Sequence, residues 1–114
     1  MKTIKYLMSF FNLLFFMLSV SAQKDFNLIK KRITDELLGH RIDYEQISIL
    51  VNSINEDGTW PGIDYSDVSR TGFQHSRHSA NMTDLARAYK SKDSKYYKNK
   101  KVKRVIEIAL KNWV

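Results

Sequence analysis

The chain contains no cysteine and a single proline, and glycine occurs only four times in 114 residues. Without cysteine there is no disulfide, no thiolate metal site and no lipid-carrying cysteine of the kind a lipoprotein signal needs. No segment alternates apolar and polar residues at a period of two for any length, and no internal repeat is present. Acidic residues are outnumbered, 12 against 19 lysines and arginines.

One long hydrophobic run is present, at the start. Lys2 and Lys5 supply a short positive segment. Leu7 to Val20 is apolar except for Ser9, Asn12 and Ser19, and Val20-Ser21-Ala22 ends it with small residues. This is the pattern of a secretory signal, with cleavage expected after Ala22 and before Gln23. A membrane anchor is the rival reading, but the run falls short of the roughly 20 apolar residues that cross a bilayer with ease. Residues 1–22 are thus read as the export signal and 23–114 as the mature chain. Processing would leave 92 residues and remove two lysines, so that 17 basic residues face 12 acidic ones, a formal charge of +5.

The mature part reads as four helical stretches. The first covers about 25–38, with Phe26, Ile29, Ile33 and Leu37 on one face and Gly39 as its stop. The second, about 43–54, places Tyr44, Ile47, Leu50, Val51 and Ile54 together, with Asp43 as a cap. An irregular stretch of about 55–72 follows, marked by the turn pairs Asp57-Gly58 and Pro61-Gly62. Such length without regular structure often has a function. The third helix is expected over about 73–90, its stripe formed by Met82, Leu85, Ala86 and Tyr89. The fourth starts near Lys100, with Val102, Val105, Ile106, Ala109, Leu110, Trp113 and Val114 on one face. The fold class is therefore all-α. Trp113 and Val114 end the chain on an apolar helix face, and a truncated product is the expectation from that.

From Asn52 onward the residues form an ordered series. It begins with Asn52 and Asp57-Gly58-Thr59-Trp60, then Tyr65 and Thr71. His78 stands eleven residues before Tyr89 of the Ala88-Tyr89 pair. Lys92-Asp93-Ser94-Lys95-Tyr96-Tyr97 follows, then Lys101-Val102, Ile106, Ala109, Lys111 and Trp113. This series resembles the N-terminal helical domain of polysaccharide lyase family 8, the chondroitin AC, hyaluronate and xanthan lyases. The resemblance implies the first helices of an incomplete toroid of paired helices, with β-sandwich domains after it. It implies a monomeric, cofactor-free enzyme that binds an acidic polysaccharide and cleaves it by β-elimination at a uronate. It also implies that the catalytic residues, and a paired-tryptophan motif lining the sugar cleft, lie beyond Val114. No catalytic residue is carried over, and the fragment alone is expected to be inactive.

Within the chain, Trp60, His75, Arg77 and His78 are the candidate substrate-binding residues. Histidines at i and i+3 can reach one metal, but no third ligand is suitably spaced. A contact to an anionic sugar and an ordinary polar helix start remain, and the second fits better. Trp60 either stacks on a sugar or anchors the loop on the helices, and Trp113 reads as core. The tyrosines Tyr65, Tyr89, Tyr96 and Tyr97 lack a neighbouring charge that would suit them to proton transfer. Lys98, Lys100, Lys101, Lys103 and Arg104 form either a solvated helix start or a polyanion-binding face on a standalone helical module. Nucleic acid is not an expected partner, since no recognition motif is present.

Overall fold

A computed structural model describes residues 2–114 as four α-helices with no strand among the described residues. Met1, the first residue of the expected signal, lies outside them. The chain divides into two compact units, up to Gly39 and from His40 onward.

The first unit is one helix, α1 (Lys2–Gly39). The sequence separates a leader from a helix starting near Asp25, but the helix runs through both. The reason is local: between Lys2 and Leu38 there is no glycine or proline to break it. No residue of α1 is buried, and the stripe Phe26, Ile29, Ile33 and Leu37 is exposed along its length. By length and composition α1 can cross a membrane, and a signal sequence near the N-terminus has the same two properties.

The second unit holds α2 (Tyr44–Ser53), α3 (His75–Lys90) and α4 (Lys100–Trp113), each packed against the other two. Asp43 caps α2, its carboxylate accepting from the Gln46 N–H at 3.0 Å. Asn99 caps α4 by accepting from the N–H groups of Lys101 and Val102. These oxygens satisfy donors that the first helical turn leaves open, each cap contributing about 1 kcal/mol. Helix α3 starts at His75 rather than Phe73 and has no side-chain cap. Its preceding residue, Gln74, instead accepts from the Asp64 N–H at 2.9 Å, so that side chain holds the loop.

The core gathers Ile47, Leu50 and Val51 from α2, Leu85 and Ala88 from α3, and Val102, Val105 and Ala109 from α4. Each large aliphatic residue here contributes about 1.5–3 kcal/mol by leaving water. Tyr89 and Tyr96 pack partly buried against this cluster, while Tyr97 stays exposed beneath the Lys98 ammonium. Ala86, expected on the α3 stripe, is exposed; Ala88 takes the inward position in its place.

Three expectations for α4 are corrected. Leu110 is 49% exposed, Trp113 44% and Val114 98%, so none of them belongs to the core. Helix α4 ends at Trp113, and Val114 caps it from outside.

The stretch between α2 and α3 is ordered by its own side chains. Asp57 accepts from the Thr59 N–H and hydroxyl, Asp64 from those of Ser66, and Asp67 from the Ser69 N–H. These bonds favour the charged carboxylates and hold all three below the ordinary aspartate value. Gly58 has φ +85° and packs against α4 so closely that a Cβ would lie 2.4 Å from the Ile108 carbonyl oxygen.

Candidate functional site: an aromatic–imidazole junction

The loop brings two apolar residues to the core, Trp60 at 3% exposure and Ile63. The Trp60 indole N–H donates to the Leu50 carbonyl at 3.0 Å. Of the two readings of Trp60, the buried loop anchor is the one observed, and its ring is closed to a sugar. The edge of that ring meets His78, with centroids 4.9 Å apart.

His78 is fully buried, which corrects the polar-helix-start reading for this residue. Its hydrogen bonds fix its chemical state. The Nε2 atom lies 3.1 Å from the Ala109 carbonyl oxygen, which only accepts, so Nε2 carries a proton. The Nδ1 atom lies 2.8 Å from the Tyr65 hydroxyl. The Tyr65 oxygen already accepts from the Trp60 backbone N–H at 3.0 Å, so its own hydrogen is available to Nδ1. The chain of donors then runs from the Trp60 backbone N–H to the Tyr65 hydroxyl and on to His78, and from His78 to Ala109. Burial holds the imidazole below its ordinary value, against the opposing pull of the Ala109 carbonyl, and so keeps it neutral. With its one lone pair taken by Tyr65, His78 has none to offer a metal.

Arg77, one residue earlier, leaves this group. Its guanidinium donates to the Gly62 carbonyl at 2.7 Å, so it clasps the loop from outside. His75 sits one turn before His78 and is half-buried at the mouth of the junction. Its ring stacks on Phe73 (4.9 Å, 26°) and meets Tyr65 and Trp113 edge-on. Trp113 stacks on His78 with centroids 5.2 Å apart and planes 15° from parallel.

Outside this junction lies an open cleft of about 580 Å³, lined by Thr59, Tyr65, Phe73, His75, Asn112 and Trp113. Of the four candidates, His75 and His78 thus come together, Trp60 lies behind them, and Arg77 stands apart. Sequence reasoning missed Thr59, Tyr65, Phe73, Asn112 and Trp113 as members. A usable signal existed for Phe73, an aromatic directly before His75 at the end of a glycine-marked loop. Asn112 carried none, because its place depends on the angle between α3 and α4.

The basic run is divided in space. Lys101 donates to the Asn52 side chain at 2.9 Å and ties α4 to α2, and Lys103 pairs with Glu107 on its own helix. Among the described residues no group of three His, Cys, Asp or Glu side chains is placed to hold a metal ion.

Comparison with known proteins gives one partial likeness to report. A stretch of 63 residues, 55% of this chain, is 33% identical to chondroitinase-AC of Pedobacter heparinus. The match spans 9% of that protein, far less than two thirds of it. No family model matches the chain, and no solved structure matches it significantly.

Proposed function

We propose that this chain is the leading helical part of an exported polysaccharide lyase that cleaves a uronate-containing polysaccharide, such as chondroitin, by β-elimination. The observation that carries the reading is the 33% identity to chondroitinase-AC over 63 residues. The all-helical second unit agrees with it, as does an apolar N-terminal helix suited to an export signal cleaved after Ala22. The working enzyme is then secreted or periplasmic, monomeric, and partnered with an acidic polysaccharide.

β-Elimination needs a group that neutralises the uronate carboxylate, a base for the proton beside it, and an acid for the leaving oxygen. The Tyr65–His78 pair does not supply these. His78 is fully buried, and both of its nitrogens are committed within the protein. The Tyr65 hydrogen is already given to His78. These residues set the geometry of the scaffold, and the proton-transfer groups belong to sequence beyond Val114. The test is ultraviolet detection of unsaturated uronide when chondroitin or hyaluronan meets the complete translation product of the gene. The 114-residue chain alone is expected to release none.

A further inference from the structure

We propose that the corner where Lys95 and Lys98 lie over tyrosine rings is a binding surface for an acidic polysaccharide, engaged through its carboxylate or sulfate groups. The choice of a polysaccharide rests on the lyase reading; the sign of its charge rests on the corner itself.

Three observations define the occupant. First, the charge here is almost all of one sign and is left unmatched. From Lys90 to Arg104 eight of the fifteen residues are lysine or arginine, and one, Asp93, is acidic. Lys101 and Lys103 are engaged within the protein, by Asn52 and Glu107. Among the described residues no ion pair includes Lys95 or Lys98, and the acidic residues adjacent in sequence, Glu45 and Asp93, pair with neither. An anion from outside is the partner this charge lacks.

Second, the two ammonium groups are held in place. Lys95 Nζ stands 4.9 Å from the Tyr44 ring centre and 5.2 Å from that of Tyr96, which ties the start of α2 to the loop before α4. Lys98 Nζ stands 5.2 Å from the Tyr97 ring centre. An aromatic face attracts a cation without neutralising it. Both lysines are exposed, so hydrogens turned away from the rings can reach an anion. The backbone beneath them is also fixed. The Tyr97 N–H donates to the Ser94 carbonyl, and the Lys98 N–H donates to that of Tyr89. A lysine already confined loses less freedom on binding than one free in solvent.

Third, the surroundings suit a sugar chain. Tyr44 and Tyr97 are 36% and 37% exposed, so apolar ring surface borders the ammonium groups. A uronate-containing strand matches both features, with carboxylates for the lysines and C–H faces for the rings. The corner also belongs in water whatever packs elsewhere on the domain, because an unpaired ammonium is costly to bury.

The experiment uses the full chain in micelles of an uncharged detergent, which cover the apolar face of α1. A chondroitin sulfate oligosaccharide is titrated in and binding is followed by calorimetry at several salt concentrations. Affinity should fall steeply as sodium chloride is added. Lys95→Gln combined with Lys98→Gln should weaken binding roughly tenfold. Lys24→Gln combined with Lys30→Gln removes the same charge from exposed positions of α1 and should weaken it less than about twofold. Tyr97→Leu keeps the charge and should weaken binding about threefold, with the salt dependence unchanged. Equal losses in the two double variants would reduce the effect to net charge and overturn the site. An uncharged N-acetylglucosamine oligomer bound as tightly overturns the anionic assignment. Polyglutamate of matched charge bound as tightly overturns the choice of a polysaccharide. Unsaturated uronide release from the complete gene product is read separately, so failure of the corner is distinguishable from failure of the lyase reading.

Discussion

The Tyr65 hydroxyl stands 2.8 Å from His78 Nδ1, and through that contact the long loop is fastened to two helices. The oxygen holds the Trp60 backbone N–H while its hydrogen goes to the imidazole, whose other nitrogen holds the Ala109 carbonyl of α4. Tyr65→Phe removes one oxygen and leaves two partly or fully buried polar groups unpaired. It should cost about 2 kcal/mol, more than the roughly 1 kcal/mol of an average hydrogen bond. Thermal unfolding followed by circular dichroism checks this, and a change below half a kcal/mol would contradict the bonding derived for His78.

His78 also sets the response to acid. Its native value lies below that of the unfolded chain, about 6.5. In the window beneath that value the unfolded state binds more protons, so stability rises with pH there. The contribution is complete above the unfolded value and is lost as pH falls through it toward the native one. The depressed aspartates Asp57, Asp64 and Asp67 act in the same direction but lower, below about 3.9. Unfolding followed from pH 8 to pH 4 should show the first loss in the wild-type chain and a flatter profile in His78→Gln.

Two glycines with similar backbone angles should behave differently. Gly58 at φ +85° faces the Ile108 carbonyl oxygen, whereas a Cβ at Gly62, φ +83°, meets nothing within 4 Å. Gly62→Ala should cost about 1 kcal/mol, from the left-handed conformation alone. Gly58→Ala should cost about 3 kcal/mol or more, because α4 must also move. Denaturant midpoints for the two variants give the comparison directly.

Leu85 is fully buried where α3 meets the other helices. Leu85→Ala should cost about 2–5 kcal/mol, a large part of the stability of a domain this small. Lys101→Ala removes an exposed contact to Asn52 and should change stability by less than about 1 kcal/mol. Similar losses for both would contradict the core as described.

What the sequence conveyed depended on whether the signal was local. The cap at Asp43 and the inward positions of α2 follow from spacing that any helix obeys, whereas the cap at Asn99 emerged only with the structure. Helix α1 differed, because a leader and a neighbouring helix without a breaker between them join. Trp113 shared its spacing with core residues, but spacing gives a face and not its partner, which is the ring of His78. His78 was the least legible. A histidine among His75, Ser76, Arg77 and Ser79 reads as polar surface, and only the approach of Trp60, Tyr65 and Ala109 makes it the centre of the junction.

The lyase reading is tested most directly by the complete translation product of the gene. Mixed with chondroitin or hyaluronan, it should generate unsaturated uronide with a steady rise in ultraviolet absorbance, while the 114-residue chain alone generates none. Chain cleavage without that absorbance, absence of any cleavage by the complete product, or release of unsaturated uronide by the 114 residues themselves would each contradict it.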